Sequence, residues 1–198
     1  MHITVSLQGT TPLLAHNPDL ADPDHPITQQ IKAITDQRGW SDNTELRRKI
    51  DKLEWYGGLY VAQGIDGPAM PTANVRQCLV EAGKITRDGT NVERALSAFD
   101  MFVPLGYEGP RNLDDLFARP EFHDRRSIGI GAGRSKKRTM RTRPKFPRWA
   151  VVAEFELDSE ILTPEKFAEI VSVAGRAIGL GDNRRNAYGR FIGEVKAL

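Results

Sequence analysis

The sequence has very little cysteine and no long apolar run. Cys78 is its single cysteine among 198 residues, so the chain cannot form an intramolecular disulfide or a zinc site built from several thiolates. No window approaches the roughly 18 apolar residues of a membrane-spanning helix. The first residues, MHITVSLQGT, alternate apolar and polar side chains, unlike the apolar run of a signal peptide. We therefore expect a soluble, cytoplasmic protein with no membrane partner.

Acidic residues are missing from one stretch of the chain. Residues 125 to 153 include ten Lys/Arg and no Asp or Glu, whereas the other 169 residues carry 18 Lys/Arg against 26 Asp/Glu. The net charge of +2 therefore hides an acidic body of −8 that carries one strongly basic stretch. Cations without intervening acids repel each other in water, which favours a polyanionic partner.

Apolar periodicity predicts the order strand, helix, strand, strand, helix, strand. Ile3, Val5 and Leu7 alternate in the first predicted strand, and WAVVAEFELD gives the clearest later one. This order predicts an α+β protein with a ferredoxin-like βαββαβ core, forming a single domain over residues 1–198. The pattern also predicts a helical insertion at about 27–57, after the first strand, and a basic β-hairpin at about 127–149, between the middle strands.

A glycine-rich loop, GLGDNRRNAYGRF, occupies residues 179–191. Phosphate-binding loops of nucleotide folds follow a strand and open a helix, whereas this loop follows a predicted helix and opens a strand. A helix cap explains Gly179 but not the other glycines and arginines of the loop. They serve either the turn itself or a ligand whose backbone approaches closely.

Three segments together resemble a known superfamily. The loop with its Tyr-Gly-Arg-apolar ending, the segment AMPTANVRQCL and the basic run GRSKKRTMRTRPKF resemble the RAMP superfamily of class 1 CRISPR systems, especially its backbone subunits. The resemblance implies a thumb-like hairpin over a guide RNA, and copies assembled head to tail along the strand, with other complex subunits as further partners. TPLLAHNPDLADP together with the glycine loop is also similar to small phage-encoded proteins. Ala187 departs from the superfamily, where Gly is common.

These features predict a non-catalytic protein that binds single-stranded nucleic acid largely independently of sequence and needs no cofactor or metal. Cations would contact phosphates, and flat groups would stack on bases. Phe146, between two prolines, is expected to be exposed, and Trp149 either stacks or joins the core. The predicted binding residues are, in the hairpin, Arg134, Lys136, Lys137, Arg138, Arg141, Arg143, Lys145, Phe146 and Arg148, and, elsewhere, Gly179, Gly181, Arg184, Arg185, Arg190 and Arg76.

Other functions stay open at this point. The ligand could be single-stranded DNA bound by a phage protein. Some members of the resembled superfamily cut RNA with a residue in the loop after the first strand, and here that residue would be His16 or Asp19. A third alternative is a protein-interaction module whose basic hairpin holds an acidic partner.

Overall fold

The computed structural model describes residues 1–130 and 137–197, and of these the side chains of all but Ile130 and Lys137. The strands are β1 (His2–Gly9), β2 (Leu13–Leu14), β3 (Ala69–Pro71), β4 (Leu96–Ala98), β5 (Phe102–Pro104), β6 (His123–Ile130), β7 (Lys137–Phe146), β8 (Ala150–Leu157) and β9 (Phe191–Ala197). The helices are α1 (Pro26–Thr35), α2 (Thr44–Gly58), α3 (Thr72–Ile85), α4 (Gly89–Ala95), α5 (Leu113–Phe117) and α6 (Pro164–Val173). The predicted α+β class is confirmed.

The central sheet is antiparallel, with strand order β4-β8-β1-β9. Val5 lies opposite Ala153 on one neighbour and Val195 on the other. Strict alternation in β1 buries Ile3, Val5 and Leu7 on a single face, and α3 and α6 contribute to the same core. The polar alternate residues are left on the opposite face of the sheet.

Helices α1 and α2 follow β1 in the chain and pack against each other. Asn43 begins α2, because its side chain accepts hydrogen bonds from the backbone N–H groups of Glu45 and Leu46 at 2.9 and 3.1 Å. Trp55 is fully buried, and its indole N–H donates to the Phe122 carbonyl at 2.9 Å. Helix α2 also packs against β7, where Glu54 accepts from the Thr142 N–H.

Strands β6 and β7 form the basic hairpin, with Arg126 opposite Arg141 and Ser127 opposite Met140. Its base is anchored by β2, where Leu13 lies opposite Phe146. The hairpin is therefore held directly against the segment that follows β1. The predicted residues Arg134 and Lys136 lie outside the described residues, as does the side chain of Lys137.

Candidate nucleic-acid interface

Three adjoining cavities lie between the hairpin, the glycine loop and the helical insertion. Their volumes are about 290, 270 and 540 Å³. The first and second share His16 and Asp182, and the second and third share Glu54 and Arg141. Neighbouring cavities therefore share walls, and we call the three cavities together the groove. The groove brings together the two segments that the sequence singled out separately, the hairpin and the glycine loop.

Backbone hydrogen bonds connect the glycine loop to the segment that follows β1. The Asp182 N–H donates to the Leu14 carbonyl at 2.8 Å, and the Gly189 N–H donates to the Pro12 carbonyl at 2.9 Å. Gly181 has a φ of 79°, and a Cβ there would lie 2.5 Å from the Leu14 oxygen. At Gly179, with φ 82°, a Cβ would lie 2.8 Å from the Tyr188 oxygen. The protein's own backbone thus occupies the space next to both glycines, which explains them without a ligand.

The arginines of the loop and of α3 differ in what they contact. Arg184 donates to Glu81 on α3 at 2.7 Å. Arg190 reaches the Arg184 carbonyl at 3.3 Å, while its Nη1 is buried with no hydrogen-bond partner among the described residues. Arg185 is exposed. Arg76 is held by structural contacts, since its guanidinium donates to the carbonyls of Leu96, at 2.9 Å, and Glu93. Its contact with a phosphate stays a prediction.

Among the cations of the basic stretch whose side chains the structure describes, five form salt bridges with carboxylates. Helix α2 supplies Asp51 to Arg125 and Glu54 to Arg141, at 2.9 and 2.7 Å. The remaining pairs are Arg126 with Asp124, Arg143 with Asp124 and Asp182, and Arg148 with Glu108. The basic stretch itself contains no acid, but folding brings Asp51, Glu54, Glu108 and Asp182 to its cations from other parts of the chain. Arg138 is exposed and Lys145 half-buried, and neither forms a salt bridge within 1–130 and 137–197.

The centre of the groove is a network of buried charge. The Glu54 side chain is only 6% exposed; it accepts from Arg141, and also from the Thr142 N–H at 2.9 Å. Burial raises the pKa of Glu54, although both hydrogen bonds and the Arg141 charge act in the opposite direction. Arg143 is only 12% exposed and pairs with Asp182 of the glycine loop. This ion pair ties the hairpin to the loop, and it also limits the contact that Arg143 can make with a ligand.

His16 lines both the first and the second cavity. Partial desolvation lowers the pKa of His16, and the Arg143 and Arg141 charges lower it further, while Asp182 acts in the opposite direction. The imidazole is therefore mostly neutral at pH 7. Asp19 lines a further cavity, which shares Pro18, Tyr60 and Asn74 with the first one, and its backbone N–H donates to the Asn17 side chain in a turn.

The aromatic residues depart from the expectation. Phe146 is fully buried, so its predicted exposure is wrong. Its side chain lies on the same face of β7 as those of buried Thr142 and Pro144, and its ring packs near that of Tyr107. Trp149 also belongs to the core, and its indole N–H donates to the Thr11 carbonyl at 2.8 Å. Sequence reasoning missed half-buried Trp40 in the third cavity, although an indole within the polar segment RGWSDN was a signal.

In residues 1–130 and 137–197, no cluster of three or more His, Cys, Asp or Glu side chains is arranged to hold a metal ion. None of the helices in this part of the chain is both long enough and apolar enough to cross a membrane.

Comparison with known proteins gives a distant structural similarity. No protein-family model matches the chain, and no curated protein matches it. Among solved structures, the crystal structure of Cmr6 from Pyrococcus furiosus aligns over 98% of both chains, with 10% identity and a TM-score of 0.35. A TM-score at this level does not define a common fold.

Proposed function

We propose that the groove binds single-stranded nucleic acid, largely independently of base sequence. The observation that carries this proposal is the meeting of hairpin and glycine loop in one groove, where Arg141 and Arg143 lie on one side and Asp182 and Arg184 on the other. A single strand needs cations along its phosphates and groups that contact its bases. Exposed Arg138 and the partly exposed Arg141 and Arg184 supply cations, and the amides of Asn74 and Gln77 in the first cavity can hydrogen-bond to bases.

We further propose that the chain is one RAMP-like domain with a ferredoxin-like core. The sheet order β4-β8-β1-β9, with α3 between β1 and β4 in the chain and α6 between β8 and β9, supports this topology. On this proposal the hairpin is the thumb and α1–α2 the insertion. A preference for guide-like RNA over DNA, and head-to-tail assembly along the strand, follow from the sequence resemblance.

A charge-removal experiment tests the groove. Arg138→Ala removes an exposed cation of the third cavity, and Arg148→Ala is the matched control, because Arg148 is 78% exposed and lines none of the three cavities. Fluorescence anisotropy with labelled RNA and DNA 30-mers would be recorded over a range of salt concentrations. We expect Arg138→Ala to flatten the slope of log K against log[salt] by about 0.7 for a lost phosphate contact.

We expect Arg148→Ala to bind like the wild type. Equal losses in both variants would place binding outside the groove. Failure of the wild-type protein to bind either polymer at low salt would overturn the proposed function as a whole.

One observation favours a second candidate function, cleavage of RNA. A mostly neutral histidine can accept a proton from a 2′-hydroxyl, and His16 lies in the groove beside the charges of Arg141 and Arg143. Product analysis on a denaturing gel tests this function. Cleavage of RNA but not DNA, lost in His16→Ala and kept in Asp19→Ala, would establish it. Intact RNA after long incubation would exclude it.

A further inference from the structure

The third cavity of the groove lies between the helical insertion and the hairpin, and no sequence motif pointed to it. We call it the insertion pocket. Its volume is about 540 Å³. The aromatic and cationic side chains that line it are Trp40, Arg47, Arg125, Arg138 and Arg141.

Trp40 is the unusual residue of this pocket. It begins a short 3-10 turn, Trp40–Asp42, immediately after Gly39, whose φ of 77° reverses the chain between α1 and α2. Trp55 and Trp149 are essentially inaccessible, whereas Trp40 is half-buried. Ile31 and Met140 also line the pocket, which therefore offers apolar side chains beside the partly accessible indole.

The pocket also carries uncompensated positive charge. Four arginines line it against two carboxylates, Asp51 and Glu54, which pair with Arg125 and Arg141. Arg47 donates instead to neutral groups, the Ser41 carbonyl and the Thr44 hydroxyl. Arg138 is exposed, with no carboxylate in salt-bridge range within the described part of the chain. Two arginines thus remain to attract an anion.

We propose that the insertion pocket holds one nucleotide of the bound strand, with its base stacked on Trp40 and its phosphate held by Arg138 and Arg47. An indole face and guanidinium groups in one cavity match the two chemical parts of a nucleotide, a flat base and an anion. This inference rests on the proposed function, because it adds an aromatic contact at one end of the same groove. An acidic peptide would use the arginines alone.

Tryptophan fluorescence tests the pocket directly. Since Trp55 and Trp149 are buried, quenching by an unlabelled oligouridylate would report on Trp40. The variants are Trp40→Ala and Trp40→Phe, the second keeping an aromatic face. We expect saturable quenching in the wild type, affinity about tenfold weaker in Trp40→Ala, and affinity within about twofold of wild type in Trp40→Phe. Thermal melting of both variants would confirm that they fold.

Controls separate this inference from the proposed function. An oligonucleotide of the same length with abasic sites should bind the wild type and Trp40→Ala equally, because it offers no base to stack. If the wild type binds normally by anisotropy but shows no quenching, and Trp40→Ala has unchanged affinity, the proposal of a nucleotide in the insertion pocket is wrong. The rest of the groove would then remain the proposed binding site. Equal quenching by poly-glutamate would make the pocket an acidic-peptide site and overturn the proposal. Absence of any binding by the wild type would instead refute the proposed function.

Discussion

Gly181 allows the ligand-based and the structural explanation of the glycine loop to be separated by measurement. Gly181→Ala forces a residue with a Cβ into a φ of 79°, and it places that Cβ 2.5 Å from the Leu14 oxygen. The left-handed conformation costs about 1–2 kcal/mol for a non-glycine residue. Displacing Leu14 also weakens the bond from the Asp182 N–H, worth ~0.5–1.5 kcal/mol. The expected loss of stability is therefore about 2–3 kcal/mol.

Gly64→Ala is the matched control. Gly64 has a φ of 82°, and a Cβ there would meet nothing within 4 Å, so this variant isolates the backbone cost. For a chain of this size, about 1 kcal/mol lowers Tm by roughly 2–4 °C. We expect Gly181→Ala to lose about 1 kcal/mol more than Gly64→Ala in thermal and urea unfolding. Equal stability of the two variants, with oligonucleotide binding lost only in Gly181→Ala, would refute this reasoning and assign the glycine to the ligand.

Three further predictions concern buried or titrating groups. Glu54→Ala should destabilise the protein by about 2–3 kcal/mol in urea unfolding, because it leaves the Thr142 N–H and the partly exposed Arg141 without their acceptor. Glu54→Gln keeps an acceptor oxygen and should lose less than half of that stability. The pKa of His16 is lowered in the folded protein, so the unfolded chain takes up a proton first as pH falls below about 6.5. The free energy of unfolding of the wild type should therefore fall relative to that of His16→Gln below this pH. Parallel profiles of unfolding free energy against pH would contradict this. Burial raises the pKa of Cys78 to about 12, so its thiol should resist iodoacetamide in the native protein and react only on unfolding, as mass spectrometry would show.

The sequence alone determined the elements whose signal is local. Ile3, Val5 and Leu7 alternate as expected for β1 and are buried on one face. Thr163 and Pro164 are a typical start of a helix in sequence, and they begin α6, with the Thr163 hydroxyl accepting from the Lys166 N–H at 3.4 Å. Such patterns depend on residues within a few positions of each other, so they predict local structure without knowledge of the rest of the fold.

The tertiary structure alone decided which charges remain available and which aromatic residues are buried. Arg143 meets Asp182 across 39 positions, and Arg141 meets Glu54 across 87, so a count of cations along the chain could not anticipate their neutralisation. Phe146 is buried among side chains that are distant in the chain, including Tyr107 and Phe122. Ion pairing and burial depend on which residues the fold brings within a few ångströms of each other, and the spacing of residues along the sequence does not predict those contacts.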